Sequence, residues 1–266
     1  MRMRSKSTES VEIGKTRIHR RHLLDAPDYF EHILPAESPT PDPDEARHLE
    51  QIAFQLLMAG FEPIANRFYA FVLLLLQEPD AYARLVAEVR ATFDSYADIT
   101  TSSAAKLPYV DATIQESFRM MTTTPSGSPR TSPGAVVDGT YIAKGITCQM
   151  SQFAAARSPR HFRDPQLFRP ERWLPRRDPR HDPRYAADDL GCFFPFNLGP
   201  RQCVGRESAW PQMRLFLAKV LWTFDLEPPP SGPDHHRRLP VFDSDFAMLG
   251  MWEKPELHVR FRPVNR

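Results

Sequence analysis

The chain has 266 residues, 41% of them hydrophobic and 25% charged, with 34 Lys+Arg against 33 Asp+Glu for a net charge of +1. That length holds one large domain or two small ones, the composition excludes wholesale disorder and a membrane-embedded bundle, and the near-neutral balance lacks the basic field of a nucleic-acid binder. Proline is the outlier, 27 residues against 11 glycines, so long, stiff, non-repetitive connections are expected.

Positions 1–22 hold seven Arg/Lys and two Glu without an apolar run, which suits neither a signal peptide nor an anchor. Residues 1–43 read as a basic segment ending in a proline-rich linker, whose last dipeptide, Asp42-Pro43, supplies an N-cap and a proline at the first helical position. A long helix is expected over about 44–76, apolar on all sides in its second half like a helix threaded through a core. Its longest apolar run, Phe68 to Leu76, falls short of the roughly 20 residues a membrane span needs, and Pro63 is expected to weaken or kink its middle. A second helix opens at Pro79-Asp80, and a third covers about 108–121. Short β-branched segments around Asp138-Gly139 and Lys144-Gly145 read as small hairpins. Residues 156–184, with nine Arg and six Pro, read as a solvated, loop-rich meander. Met213, Leu217, Val220, Leu221 and Phe224 set a last helix over about 204–224, and the alternation from Glu256 to Phe261 gives a terminal strand. His235-His236 reads as solvated loop, not as a metal site. Cys148, Cys192 and Cys203 are an odd number without CxxC spacing, which points to reduced thiols in a reducing compartment.

Three constellations carry possible chemistry. Glu116 and Arg119, three apart on the third helix, share one face; alone they read as a surface ion pair. In Phe168-Arg-Pro170-Glu171-Arg172-Trp173, Arg172 can reach a buried carboxylate and share it with another arginine. Phe196-Asn-Leu-Gly199-Pro-Arg201-Gln-Cys203-Val-Gly205 puts a cysteine where a glycine-containing loop meets a helix start, a setting that favours a thiolate, although a lone cysteine is usually an inert buried thiol.

Together and in this order the three resemble the cytochrome P-450 superfamily of haem-thiolate monooxygenases. Phe196-x-x-Gly199-x-Arg201-x-Cys203-x-Gly205 is similar to its cysteine-ligand loop, and Glu116-x-x-Arg119 with Pro170-Glu-Arg172-Trp is similar to its core triad. Leu107-Pro-Tyr, Pro129-Arg130 and Phe162-Arg-Asp164-Pro165 also look like family sequence, in a style similar to fungal secondary-metabolite hydroxylases. The resemblance implies a mainly α fold with small β-sheets, the C-terminal half of the family's domain lying over residues 44–266, with haem between a long distal helix and the cysteine-side helix. It implies Cys203 as axial ligand to the haem iron, Arg201 and Arg130 as propionate partners, and Phe196, Gly199 and Gly205 as the rest of the thiolate loop. Ala59 and Gly60 resemble the oxygen-binding groove of the distal helix and Glu62 the catalytic acid of proton delivery, while Glu116, Arg119 and Arg172 would be structural. Further implications are electrons from NADPH through a flavoprotein reductase, for which the arginines of residues 156–184 offer a basic docking face, a small apolar metabolite as substrate, and a place at the cytoplasmic face of the endoplasmic reticulum.

Two features depart from the family pattern. Pro63 and Ile64 come after the acid where the family usually has threonine, so no hydroxyl is available there, and Pro211 lies inside the cysteine-side helix. The match covers only the family's C-terminal half, as a truncated, split or degenerate copy would. A monooxygenase is the first expectation, a non-catalytic remnant the second, and a peroxide isomerase or dehydratase the third.

Overall fold

The computed structural model describes residues 12, 15–16, 29–35, 37–228, 238–249 and 251–265. The chain divides into two compact units, Met1–Pro63 and Ile64–Arg266. His235-His236 lies outside the described residues.

In the first unit, α1 (Tyr29–Ile33) precedes the start of α2 (Pro43–Gln77). Asp42 caps α2 as its sequence dictates, its Oδ1 accepting the N–H groups of Asp44 and Glu45 at 2.9 Å each. Leu34, Leu49 and Ala53 bury together in a small apolar cluster. The helix assignment continues through Pro63 without a break. Proline removes a single bond, the one its N–H would give the Ala59 carbonyl, and the turns on both sides stay helical.

The second unit contains the main core. Every residue from Ala70 to Leu75 is buried, so although α2 is long and apolar enough to cross a membrane by length and composition, this stretch is a core helix. Around it lie α3 (Pro79–Thr92), the short α4 (Thr101–Ala104), α5 (Pro108–Met120), α6 (Gln152–Ala156), α7 (Arg206–Thr223) and the short α8 (Phe242–Asp245). Phe68 of α2 stacks on Phe216 of α7, ring centroids 4.0 Å apart. Polar contacts then fix the register of the helices. Glu88 of α3 accepts the N–H groups of Tyr109 and Val110 at 3.0 Å each, satisfying donors that the start of α5 would otherwise leave open. Asp111 holds Arg214 of α7 through two bonds of 2.6 and 2.8 Å.

Among the described residues the strands form four two-stranded antiparallel sheets. β1 (Arg130–Thr131) pairs with β4 (Thr147–Cys148), and β2 (Ala135–Val137) pairs with β3 (Thr140–Ile142). The turn between β2 and β3 uses Asp138 and Gly139 at φ +47° and +77°, the two positive values a tight hairpin turn requires. Lys144-Gly145 does not close a hairpin of its own, because the Gly145 N–H bonds to the Ser132 carbonyl and β4 pairs with β1. β5 (Phe224–Glu227) pairs with β8 (Arg260–Pro263), so the terminal strand begins four residues later than the alternation suggested. β6 (Ala247–Leu249) and β7 (Met251–Glu253) form the last pair.

Residues 156–184 differ most from the solvated meander the sequence suggests. Phe162, Phe168, Leu174, Glu171 and Arg172 are all buried, and one-turn 3-10 helices form at Pro170–Trp173 and Pro183–Tyr185. Their arginines are drawn inward by carboxylates and rings, a pull that composition does not show.

Pro211 lies six residues into α7, so the Glu207 carbonyl lacks its helical donor. Pro211→Ala should therefore raise the denaturation midpoint, by about 1–3 kcal/mol of stability. An unchanged midpoint would mean that the helix has already relaxed around the ring.

Candidate active site

The loop from Phe196 to Gly205 is shaped by its own backbone. Asn197 and Gly199 take φ of +62° and +68°, reversing the chain so that the Cys203 N–H donates to the Phe196 carbonyl at 2.7 Å. The thiol is therefore held where the loop ends and α7 begins at Arg206. Cys203 is exposed, and among the described residues the N–H groups of Val204 and Gly205 have no hydrogen-bond partner, leaving the positive end of α7 open beside the sulfur. A Cβ added at Gly205 would meet the sulfur at 3.8 Å, an ordinary van der Waals contact. Beneath the loop, Phe196 is half-buried between Phe118 and Trp210, its ring centroid 5.1 and 6.2 Å from theirs.

A second group lies behind it. Glu116 and Arg119, expected on the surface when read as an isolated pair, are both fully buried and joined by two bonds of 2.8 Å. Arg172, equally buried, donates from Nε to the same carboxylate at 3.2 Å. Trp173 Nε1 and the Arg169 N–H add bonds of 2.8 and 2.7 Å. Burial pushes the Glu116 carboxyl up, but Arg119, Arg172 and the Arg169 N–H outweigh it and hold the group below the usual glutamate range. Sequence reasoning missed Asp188, which pairs with the far side of Arg172 and also accepts the Arg163 N–H at 2.7 Å. It also missed Arg67, buried in α2 with its guanidinium 4.2 Å from the Phe118 ring centroid and no carboxylate partner among the described residues. Burial pulls the Arg67 pKa down to about 9. An arginine beside the apolar run of α2 was the signal that marked it.

The remaining predicted residues are Arg130, Arg201, Ala59, Gly60 and Glu62. Arg130, in β1, and Arg201 are exposed, and among the described residues neither has a carboxylate partner. Ala59, Gly60 and Glu62 belong to the first unit, Ala59 and Gly60 exposed and Glu62 half-buried. Leu198 and Val204, within the loop, are 63% and 77% exposed. An accessible soft sulfur with apolar neighbours, in a unit that also carries two arginines free of carboxylates, is a donor set that fits a thiolate-bound macrocycle with an apolar face and anionic substituents.

A cytochrome P-450 family model matches residues 24–247. The chain belongs to the cytochrome P-450 family. It is 48% identical over 248 residues to the cytochrome P-450 monooxygenase TwmD of Talaromyces wortmannii, covering 93% of this chain and 47% of that protein. It is 40% identical over 247 residues to the cytochrome P-450 monooxygenase ABA2 of Pyricularia oryzae (strain Y34), covering 90% of this chain and 57% of the relative. This cytochrome P-450 chain thus spans about half the length of the curated relatives it matches. The crystal structure of the cytochrome P-450DA haem domain shares its fold, with a TM-score of 0.75 over 97% of this chain and 54% of that one at 22% identity. The mainly α architecture with small sheets is that of the family, whose cofactor is haem held by a cysteine thiolate.

Glu116→Gln should cost about 3 kcal/mol of stability at neutral pH, because it removes the charge that balances two buried guanidiniums. A depressed carboxyl contributes stability above its unfolded pKa and loses it as pH falls through the folded one. The gap between wild type and Glu116→Gln should therefore stay constant above about pH 5 and narrow below 4.5, the ordinary glutamate value. Denaturant titrations across about pH 3–7 check this, and a gap independent of pH would exclude an ionised Glu116.

Proposed function

We propose that the chain is the haem-binding part, over residues 44–266, of a monooxygenase that inserts one oxygen atom into a small apolar metabolite. The observation that carries this reading is the exposed Cys203 thiol at the start of α7, in the spacing Phe196-x-x-Gly199-x-Arg201-x-Cys203-x-Gly205. Haem, when bound, supplies the oxygen-activating chemistry, with electrons from NADPH delivered by a flavoprotein reductase.

The protein's own groups then have distinct tasks. Cys203 would hold the haem iron through its sulfur, and the open N–H groups at the loop end would stabilise negative charge there. Phe196 shields the sulfur side from water, and Arg201 and Arg130 take the propionates through their planar forks. Glu116, Arg119 and Arg172 act at a distance, by holding the segments that lead into the loop. In the distal helix, Ala59 and Gly60 would leave room for a ligand on the iron, and Glu62 would be the acidic member of the proton-delivery path.

Pro63 alters that last task. The Ala59 carbonyl keeps a free lone pair that a helical N–H would have used, and neither Pro63 nor Ile64 can donate a proton. A substrate hydroxyl or an ordered water on the Ala59 carbonyl takes the place of the missing alcohol. The same observation favours a second reading, rearrangement of a peroxide substrate, which needs no reductase. The resemblance to fungal secondary-metabolite hydroxylases makes an apolar secondary metabolite, met at the cytoplasmic face of the endoplasmic reticulum, the proposed substrate.

The test is the carbon monoxide difference spectrum of the reduced, haem-loaded protein beside Cys203→Ser. A strongly red-shifted Soret band in wild type that disappears in the variant is expected. An identical, unshifted band in both would overturn Cys203 as the ligand, and turnover with peroxide alone would favour the second reading.

A further inference from the structure

Eleven residues before Cys203 lies another cysteine, and it is not isolated. Asp189 is the N-cap and Cys192 the last residue of a one-turn 3-10 helix, Leu190–Cys192, whose three-residue repeat brings positions i and i+3 to one side. The same turn is tied to a distant segment: the Asp189 N–H donates to the His161 carbonyl at 2.8 Å, and His161 Nδ1 lies 3.2 Å from Asp189 Oδ2. As a result one ligand atom each from His161, Asp189 and Cys192 lies within 4.8 Å of the others.

We propose that His161, Asp189 and Cys192 form a binding site for a single divalent cation of the zinc type, separate from the haem ligand. Zinc holds imidazole nitrogen and carboxylate oxygen at about 2.0–2.2 Å and thiolate at about 2.3 Å, so neighbouring donors of a tetrahedral site lie roughly 3.3–3.6 Å apart. The His161–Asp189 edge already has nearly that length, and the 4.8 Å bound leaves Cys192 a side-chain adjustment of little more than an ångström. A mixed nitrogen, oxygen and sulfur set selects zinc, cobalt or cadmium over calcium and magnesium, which take oxygen. The His161 and Asp189 side chains are 34% and 55% exposed, which gives the cation an entry route and a water in the fourth position.

A hydrogen-bonded His161–Asp189 pair beside an inert thiol explains two of the three residues. It does not account for the third donor at the same point. The framework is rigid on both sides: Asp188, next to Asp189, is fixed by buried Arg172 and by the Arg163 N–H, two residues from His161. On binding, the Cys192 thiol gives its proton to solvent and three protein–metal bonds form, with no electron transferred. The bound cation then ties segment 189–192 to residue 161.

Cobalt(II) titration tests the site, in the full chain carrying Cys203→Ser so that the haem-ligand sulfur cannot contribute. A saturable thiolate-to-cobalt absorption in the near ultraviolet is expected, with one cobalt per chain, and zinc should displace it. Cys192→Ser in that background should abolish the band, and His161→Ala should weaken binding at least about tenfold. Thermal melts of each variant check that it is folded, and Asp189→Asn provides a milder ligand loss should either variant fail to fold. Absence of a saturable band up to millimolar cobalt, or a band that survives Cys192→Ser, would overturn the proposal.

Discussion

The Glu116 carboxylate is fully buried, and a charge in that position is tolerated only if each of its oxygens is satisfied. Five donors from two separate stretches of chain meet that demand: two from Arg119 in α5, and one each from the Arg169 backbone, Arg172 and Trp173 beyond the first sheets. Each removed donor would leave a buried charge uncompensated, so the arrangement specifies one path for residues 156–174. Phe162 lies against this group, its ring centroid 5.2 Å from the Arg119 guanidinium and 5.7 Å from that of Arg172, so the apolar and ionic contacts reinforce each other.

The path of the chain beyond Arg172 depends on that arrangement. Arg172 reaches through to Asp188, Asp188 holds the backbone at Arg163, and Asp189 then meets His161. From there the chain leads through buried Phe193 to Phe196, whose ring rests on Phe118 of the same helix that supplies Glu116. The cysteine loop is thus anchored at both ends, by Phe118 before it and by α7 after it. Between those anchors only backbone reversal at Asn197 and Gly199 is needed to present the sulfur.

Pairing of this kind also changes the electrostatics of the meander. Of its nine arginines, Arg169, Arg172, Arg180 and Arg184 are engaged at short range by Glu78, Asp188, Asp178 and Asp182, and Arg157 lies over the rings of Phe153 and Phe242. A field strong enough to steer an acidic partner needs unpaired charge, and less of it remains here than the count of arginines suggests.

Local rules made much of the molecule legible. Asp42-Pro43, Pro79 and Pro108 each start a helix, and the Phe196 to Gly205 spacing carried the family resemblance, because caps, proline and a ten-residue loop act through neighbours in the chain. The sequence alone therefore determined the long helices, the hairpin at Asp138-Gly139 and the candidate ligand. Only the tertiary structure decided that Glu116 and Arg119 are core, that Asp188 completes their network, that β4 joins β1, and that His161 meets Asp189 and Cys192. Each of those pairs residues far apart in the chain or depends on burial. Spacing cannot report desolvation, and the cost of burying a charge is what selects its distant partners.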